Sequence, residues 1–371
     1  MNKKRNRLVW VALASLTVAG CSAQGSVEIQ ETIVINEDVQ LESSLADSSL
    51  EVSRQQDIEV GRNIKNSTLH KEFFGKEIYF NENGGLYSLN LDTGVEKKLV
   101  NREVISISND GKRALSFQGE EVFVHDLQTG KRILLGNESM KKPDYSEYGF
   151  TNDEGNALVH FDYETDIVSL IDVDTNKMAT WDLRGYDMGE ISLSKKVKDE
   201  VFITARSEEA GFGIYQLNAQ GYNTLVTPSG KDTSFTNFDI LQNGSVIFNG
   251  TYGGKTGVFY WDKETWDVQL LVSGGKSKEG IWVPFYNLSP DESKILFDTP
   301  VQIEDDFKTN VYMAELVDGQ LANSVRIMEN ADLYSVITYS GHWSEDSKTA
   351  YITTVRNTEY IGNIAVFNVN N

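Results

Sequence analysis

The sequence predicts an all-β fold: a β-propeller of seven blades, each of about four short antiparallel strands. Three observations predict it. From about residue 69 onward, apolar and polar residues alternate with period two over short runs bounded by Gly, Asn and Asp, the pattern of half-buried strands separated by turns. One nine-residue pattern recurs seven times, its starts spaced 36, 46, 46, 44, 53 and 53 residues apart. Its fifth position is always a carboxylate or amide: Asn90, Asp126, Asp172, Asn218, Asp262, Glu315 and Asn368.

The clearest copies run from Leu86 to Gly94, Val122 to Gly130 and Val168 to Asn176, and looser ones start at Ile214, Val258, Val311 and Ile364. A short polar side chain at a strand end accepts hydrogen bonds from the backbone of the turn that follows. A glycine such as Gly94 then supplies the positive φ. A turn and an apolar strand precede the copies, as in Ser108-Asn109-Asp110-Gly111-Lys112 before Ala114–Phe117, and Ser289-Pro290-Asp291 before Ile295–Phe297. Further strands follow at Glu96 to Val100, Arg132 to Leu135, Thr224 to Thr227 and Gln269 to Val272. A unit this small buries too little alone, so the copies must stack. The last copy ends at Val369 with nothing left for its outer strand. The stretch near Ile58 to Val60 is therefore expected to supply that strand and close the ring.

The chain begins with Lys3, Lys4, Arg5 and Arg7, followed by an apolar run from Leu8 to Val18. That run is shorter than the roughly 20 residues a bilayer core needs and has the length of a signal-peptide core. It ends Val18-Ala19-Gly20-Cys21, and Cys21 is the single cysteine of the chain. This resembles the bacterial lipoprotein signal, or lipobox, with Val18 standing where leucine is commonest. The resemblance implies residues 1–20 as a signal peptide, cleavage after Gly20, and acylation of Cys21. It implies localisation at the extracytoplasmic face of a cell membrane, held by palmitate-type lipid chains. Two or three acyl chains suffice for stable anchoring.

Residues 22 to 57 contain no aromatic residue, no proline and one base, Arg54, against eight acids. Such a segment cannot offset the entropy of ordering itself. Residues 21–57 are thus expected to be a lipidated cysteine and flexible acidic tether, and residues 58–371 the propeller domain.

Composition narrows the function. The 371 residues carry 34 Lys+Arg against 55 Asp+Glu, a net charge of −21. Nucleic-acid binding is not expected of a chain so acidic, because phosphate contacts need basic residues. One cysteine excludes an intramolecular disulfide and a cysteine-cluster zinc site.

The repeats resemble the WD40-like Pro-Asp repeats of TolB-type propellers over about residues 69 to 371. Ser289-Pro290-Asp291, Asn109-Asp110-Gly111-Lys112 and Trp343-Ser344 match parts of that pattern. The resemblance implies the fold and leaves the role open, because this scaffold hosts many functions. The chain has no stretch for TolB's additional domain, TolB is not lipid-anchored, and no TolB partner is carried over.

No catalytic constellation stands out. The Ser-x-Asp turns invite comparison with sialidase Asp-boxes, but Asp110-Gly111 is spaced differently and the Gly-x-Thr-Trp ending is absent, and there is no Gly-x-Ser-x-Gly elbow. His70, His125, His160 and His342 fall in different copies, though a propeller can bring distant residues to one channel mouth. Asp162–Asp166 and Ile303–Asp306 are acidic loops without EF-hand spacing. No cofactor and no metal is expected. The better lead is aromatic: Trp282, Phe285 and Tyr286 precede the sixth copy, and Tyr339 and Trp343 precede the seventh. Such residues at a channel rim suit a peptide or sugar, while packing between blades is the reading favoured for them. The reading favoured is a monomeric envelope lipoprotein whose propeller binds a protein, peptide or glycan without catalysis. The alternative is a lactonase- or glycosidase-like propeller hydrolase or lyase with a channel-mouth site.

Overall fold

The computed structural model describes residues 50–370, apart from 74–75, 120, 136–145, 151–154, 163, 187, 198–199, 208–210, 219–220, 227–232, 278–279, 304–305, 333–341 and 356–358. The chain folds into seven four-stranded antiparallel sheets. Blades 1 to 6 comprise residues 69–100, 106–135, 146–182, 188–226, 234–273 and 286–332. Each is a simple meander in which successive strands pair. Blade 7 takes three strands from residues 342–370 and its fourth from Glu51–Glu59. This is a seven-bladed β-propeller.

Every copy of the nine-residue pattern is the third strand of its blade, from Gly85–Asn90 in blade 1 to Ile361–Asn370 in blade 7. In blades 1, 2, 3 and 5 the fifth-position side chain closes the turn after it. Asn90 Oδ1 accepts the Thr93 N–H at 3.0 Å, and Asp126 Oδ1 accepts those of Gln128 and Thr129 at 3.0 and 2.7 Å. Asp172 and Asp262 repeat the arrangement. Accepting these N–H groups holds the Asp126, Asp172 and Asp262 carboxyls below the usual range. Glu315 departs from the pattern. Its strand runs on to Val317, and its carboxylate accepts the Asn323 amide at 2.6 Å instead.

The turn between first and second strands is a second repeated device. Ser108, Ser289 and Ser344 each donate to the carboxylate two residues on, at 2.7, 2.6 and 2.6 Å. Each of those hydroxyls also accepts the N–H of the residue five positions on, at 3.0, 2.9 and 2.8 Å. The fourth turn residue has φ near +60 to +70° in Gly111, Glu292 and Ser347.

Alternate side chains of each blade face opposite neighbours, and the buried apolar residues form seven clusters, one at every interface. Between blades 4 and 5, for example, Phe202, Ile214 and Val226 meet Phe235, Phe248 and Trp261. Between blades 6 and 7, Leu296, Val311 and Met313 meet Trp343, Ile352 and Phe367. The ring closes between blades 7 and 1, where Val60, Ile361 and Ile364 pack on Ile78, Phe80 and Leu89.

Closure by a strand preceding blade 1 is as the sequence predicts: Ile58 lies opposite Ile364. That strand is longer than expected, reaching back to Glu51, so residues 51–57 belong to the propeller rather than to the tether. It is the outermost strand of its blade, and its pattern is almost wholly exposed. An edge strand needs backbone pairing on one side only, and solvated Glu, Ser, Arg and Gln side chains satisfy it.

Candidate functional site

The first strands of neighbouring blades approach one another, blade 1 to 2, 2 to 3 and 4 to 5, and so surround the axis of the ring. Polar side chains from these strands meet across blades near the end of the channel that bears the turns between first and second strands. Lys195 of blade 4 makes an ion pair with Asp239 of blade 5, both side chains about one third exposed. Tyr286 of blade 6 approaches Asp239, and its buried hydroxyl donates to the Ile247 carbonyl at 3.1 Å. Burial, and then the Asp239 charge, push the Tyr286 phenol well above its ordinary value, so it stays a neutral donor. Farther round, blade 7 contributes His342 and blade 1 Lys71, whose ammonium donates to Asn109 of blade 2 at 3.2 Å. Burial, reinforced by the Lys71 charge, lowers His342 to about 3, so its ring is neutral. The His342 Nε2 atom has no hydrogen-bond partner among the described residues.

A second polar group lies at the other end of the blade 5–blade 6 boundary. Asn249 donates to the Pro284 carbonyl at 2.8 Å, and the next N–H, of Phe285, donates to Asp298 Oδ1 at 2.7 Å. Asp298 also receives the Thr309 hydroxyl at 3.5 Å. Burial raises the Asp298 carboxyl to about 7, with those two donors only partly opposing it. Trp282, on a small hairpin of Gly275–Ser277 and Gly280–Trp282, leads into this segment. Its indole N–H is buried and finds no acceptor among the described residues.

The five aromatic candidates divide. Trp282 and Phe285 are partly exposed at the boundary just described. Tyr286 and Trp343 are not rim residues. They are 4% and 8% exposed and pack in the cores on either side of blade 6. Tyr339 lies outside the described residues, as do Gly20 and Cys21.

The histidines do not assemble. His125 hydrogen-bonds Ser116 at 2.7 Å within blade 2, and His160 sits on the second strand of blade 3. Burial lowers both to about 4. Asp162, from the first acidic loop, spends its carboxylate on Glu164 N–H and on Thr165 N–H and hydroxyl. Ile303 and Asp306 of the second pair at the tip of a hairpin, and Glu304 and Asp305 lie outside the described residues. Among the described residues no three His, Cys, Asp or Glu side chains cluster as a metal site.

Sequence reasoning passed over Asn249 and Asp298. Both occupy one repeat position, opposite the first residue of the nine-residue pattern, as does Asn81. Asn81 plays the same part in blade 1, bonding Val104 N–H and carbonyl at 3.1 and 2.8 Å on the segment leading into blade 2. A polar residue in the midst of the run Ile295-Leu296-Phe297-Asp298 was the available signal.

Fold and geometry together define a seven-bladed β-propeller whose first strands bring polar side chains of neighbouring blades together. Among solved structures, the chain is similar to one in the crystal structure of a mitotic checkpoint complex, with TM-score 0.51 and 13% identity over 97% of this chain and 100% of that one. It is also similar to an uncharacterized protein of Listeria monocytogenes EGD-e, with TM-score 0.53 and 13% identity over 79% and 91% of the two chains. At this identity the likeness speaks to the WD40-like propeller fold alone. No protein-family model and no curated protein sequence matches the chain.

Proposed function

We propose that this protein is a lipid-anchored lipoprotein of the bacterial cell envelope whose propeller binds a protein, peptide or glycan without catalysis. The observation that carries the anchoring is Cys21. The only cysteine of the chain stands directly after Val18-Ala19-Gly20, behind a basic start and an eleven-residue apolar run, Leu8 to Val18. Among the described residues no helix is long and apolar enough to cross a membrane, and acylation at Cys21 supplies the attachment in this reading. The binding role is supported by the polar contacts between first strands, Lys195 with Asp239 across blades 4 and 5 and Lys71 with Asn109 across blades 1 and 2. Ligand sites combine such convergent polar groups with apolar walls.

Two measurements test this. Growth with an alkyne-tagged palmitate, followed by capture of the chain, should label the wild type and not Cys21→Ser; equal labelling would sink the anchoring. Crosslinking in intact envelopes should then recover a recurrent partner with the wild type and lose it with Cys21→Ser. Recovery of background alone would count against a membrane-held protein partner.

One observation favours the alternative, a propeller hydrolase or lyase. Asp298 is a buried carboxyl held near 7, the range in which a general acid works. Turnover of a lactone or glycoside by the purified chain, lost in Asp298→Asn, would displace the binding reading.

A further inference from the structure

We infer that the face of blade 2 turned toward blade 1 carries an oxyanion-binding site, built from Arg102 and Arg132, that takes a carboxylate or phosphate group. Both guanidiniums converge on one neutral oxygen. Arg102 Nη2 and Arg132 Nη2 donate to Gln118 Oε1 at 3.1 and 2.6 Å. Each is held in place independently. Arg102 Nη1 donates to the Phe117 carbonyl at 3.0 Å, and the Arg132 guanidinium lies 3.3 Å over the Phe123 ring centroid. Neither has a carboxylate partner among the described residues, in a chain where acids outnumber bases 55 to 34. Two like charges held together on an amide oxygen, with donors to spare, form a fork suited to an oxyanion.

The chain contains its own control in blade 1. Glu82 ends the second strand of blade 1 opposite Gly85, as Gln118 ends that of blade 2 opposite Glu121. Glu96 opens the fourth strand opposite Leu89, as Arg132 does opposite His125. Both pairs of positions are 36 residues apart, the spacing of these two repeats. In blade 1 those two carboxylates clasp Arg62, which precedes its blade's first strand as Arg102 precedes the next. One guanidinium and two carboxylates in blade 1 thus become two guanidiniums and an amide in blade 2. The two positions that satisfy the blade 1 arginine carry no carboxylate in blade 2, where one of them holds a second guanidinium, and Glu121, opposite Gln118, makes no ion pair with either arginine among the described residues. An external oxyanion takes the place that the glutamates fill next door. His125, beneath the pair, is neutral and contributes no charge of its own. The site is complete within the propeller and does not depend on the lipid anchor.

The test is calorimetric titration of the full chain in detergent with inorganic phosphate and, separately, with succinate. The comparison is Gln118→Glu/Arg132→Glu, which installs the blade 1 arrangement and so preserves the fold while filling the site from within. Saturable binding of either anion, weakened by about tenfold or more in the double variant, is the expected result, and the anion that binds identifies the source chemistry. Arg102→Gln should weaken the same anion without altering the thermal midpoint beyond that of a surface change. Binding of neither anion, or equal binding by wild type and double variant, would overturn the inference.

Discussion

The hydroxyl of Ser347 accepts the backbone N–H of Asp291 at 3.1 Å, joining the first turn of blade 7 to that of blade 6. Contacts to neighbouring turns also lie at the blade 5–6 and blade 2–3 boundaries. Glu292 of the blade 6 turn accepts the Gln242 N–H of the blade 5 turn at 2.9 and 3.0 Å. Gly155, entering the second strand of blade 3, lies against Ser108 and Arg113 of the blade 2 turn. In each case a residue with positive φ supplies the contact. Blades 5, 6 and 7 are thus fastened at the turn end by polar contacts, in addition to their apolar faces.

Ser347 separates two contributions. Its hydroxyl is buried, and Ser347→Ala should cost about 1–2 kcal/mol by leaving the Asp291 N–H unpaired. Ser347→Gly loses the same bond but relieves the left-handed backbone at φ 58°. Glycine should therefore be more stable than alanine by about 1 kcal/mol. Urea unfolding of the three proteins measures both differences, and an alanine variant equal to glycine would deny the backbone strain.

Gly155 and Gly94 should respond differently to alanine, although their φ values are 65° and 67°. At Gly155 a new Cβ would meet Ser108 Cβ at 2.6 Å, while at Gly94 nothing lies within 4 Å. Gly94→Ala should cost about 1 kcal/mol, the backbone penalty alone. Gly155→Ala should cost about 1–3 kcal/mol more for overpacking at the blade 2–blade 3 boundary. Equal midpoints for the two would show that blade 3 shifts freely against blade 2.

Closure of the ring predicts a sharp boundary for truncation. A chain starting at Leu50 keeps the whole pairing from Glu51–Asn370 to Glu59–Asn363. A chain starting at Gly61 exposes the Ile361–Asn370 edge and removes Val60 from the core that seals blades 7 and 1. Exposed edges invite association. The shorter chain should unfold at lower urea and elute as aggregate in size-exclusion chromatography, and the longer should behave as the parent does.

The repeat, its turns and the need for a closing strand were legible in the sequence because they are short-range. Asp126 reads its turn from residues two and three positions on, and the seventh copy visibly ends one strand short. The start of the closing strand was not legible. Apart from Val52, which packs on the blade 6–blade 7 core, residues 51–57 face solvent, and no apolar alternation marks the strand. Site residues were harder still, because their meaning lies in cross-strand register. Asp298 matches Asn249, and Arg132 matches Glu96, only once the pairing partners of each are aligned. Tyr286 and Trp343 pack between blades, the reading favoured for these aromatics from the sequence, because a copy-start position places a ring on a strand flanked by two other blades.

Asp298 gives the fold a pH dependence of opposite sign to that of the turn aspartates. Burial raises its carboxyl from 3.8 to about 7, so the folded chain binds a proton that the unfolded chain releases. Its contribution to stability is fully present below the unfolded value near 4, declines as pH rises, and is gone above about 7. Asp291, in contrast, is lowered to about 2 by its turn donors, against burial, and its contribution is lost only as pH falls from about 4 toward 2. Asp298→Asn keeps an acceptor for the Phe285 N–H without a titrating proton. Across pH 5 to 8 the wild type should therefore lose stability relative to Asp298→Asn, by up to a few kcal/mol. Thermal midpoints of the two proteins, measured in parallel buffers, give the difference directly, because every other ionisable group is shared. A difference that stays constant over that range would mean that Asp298 is ionised throughout, with water or another donor reaching its second oxygen.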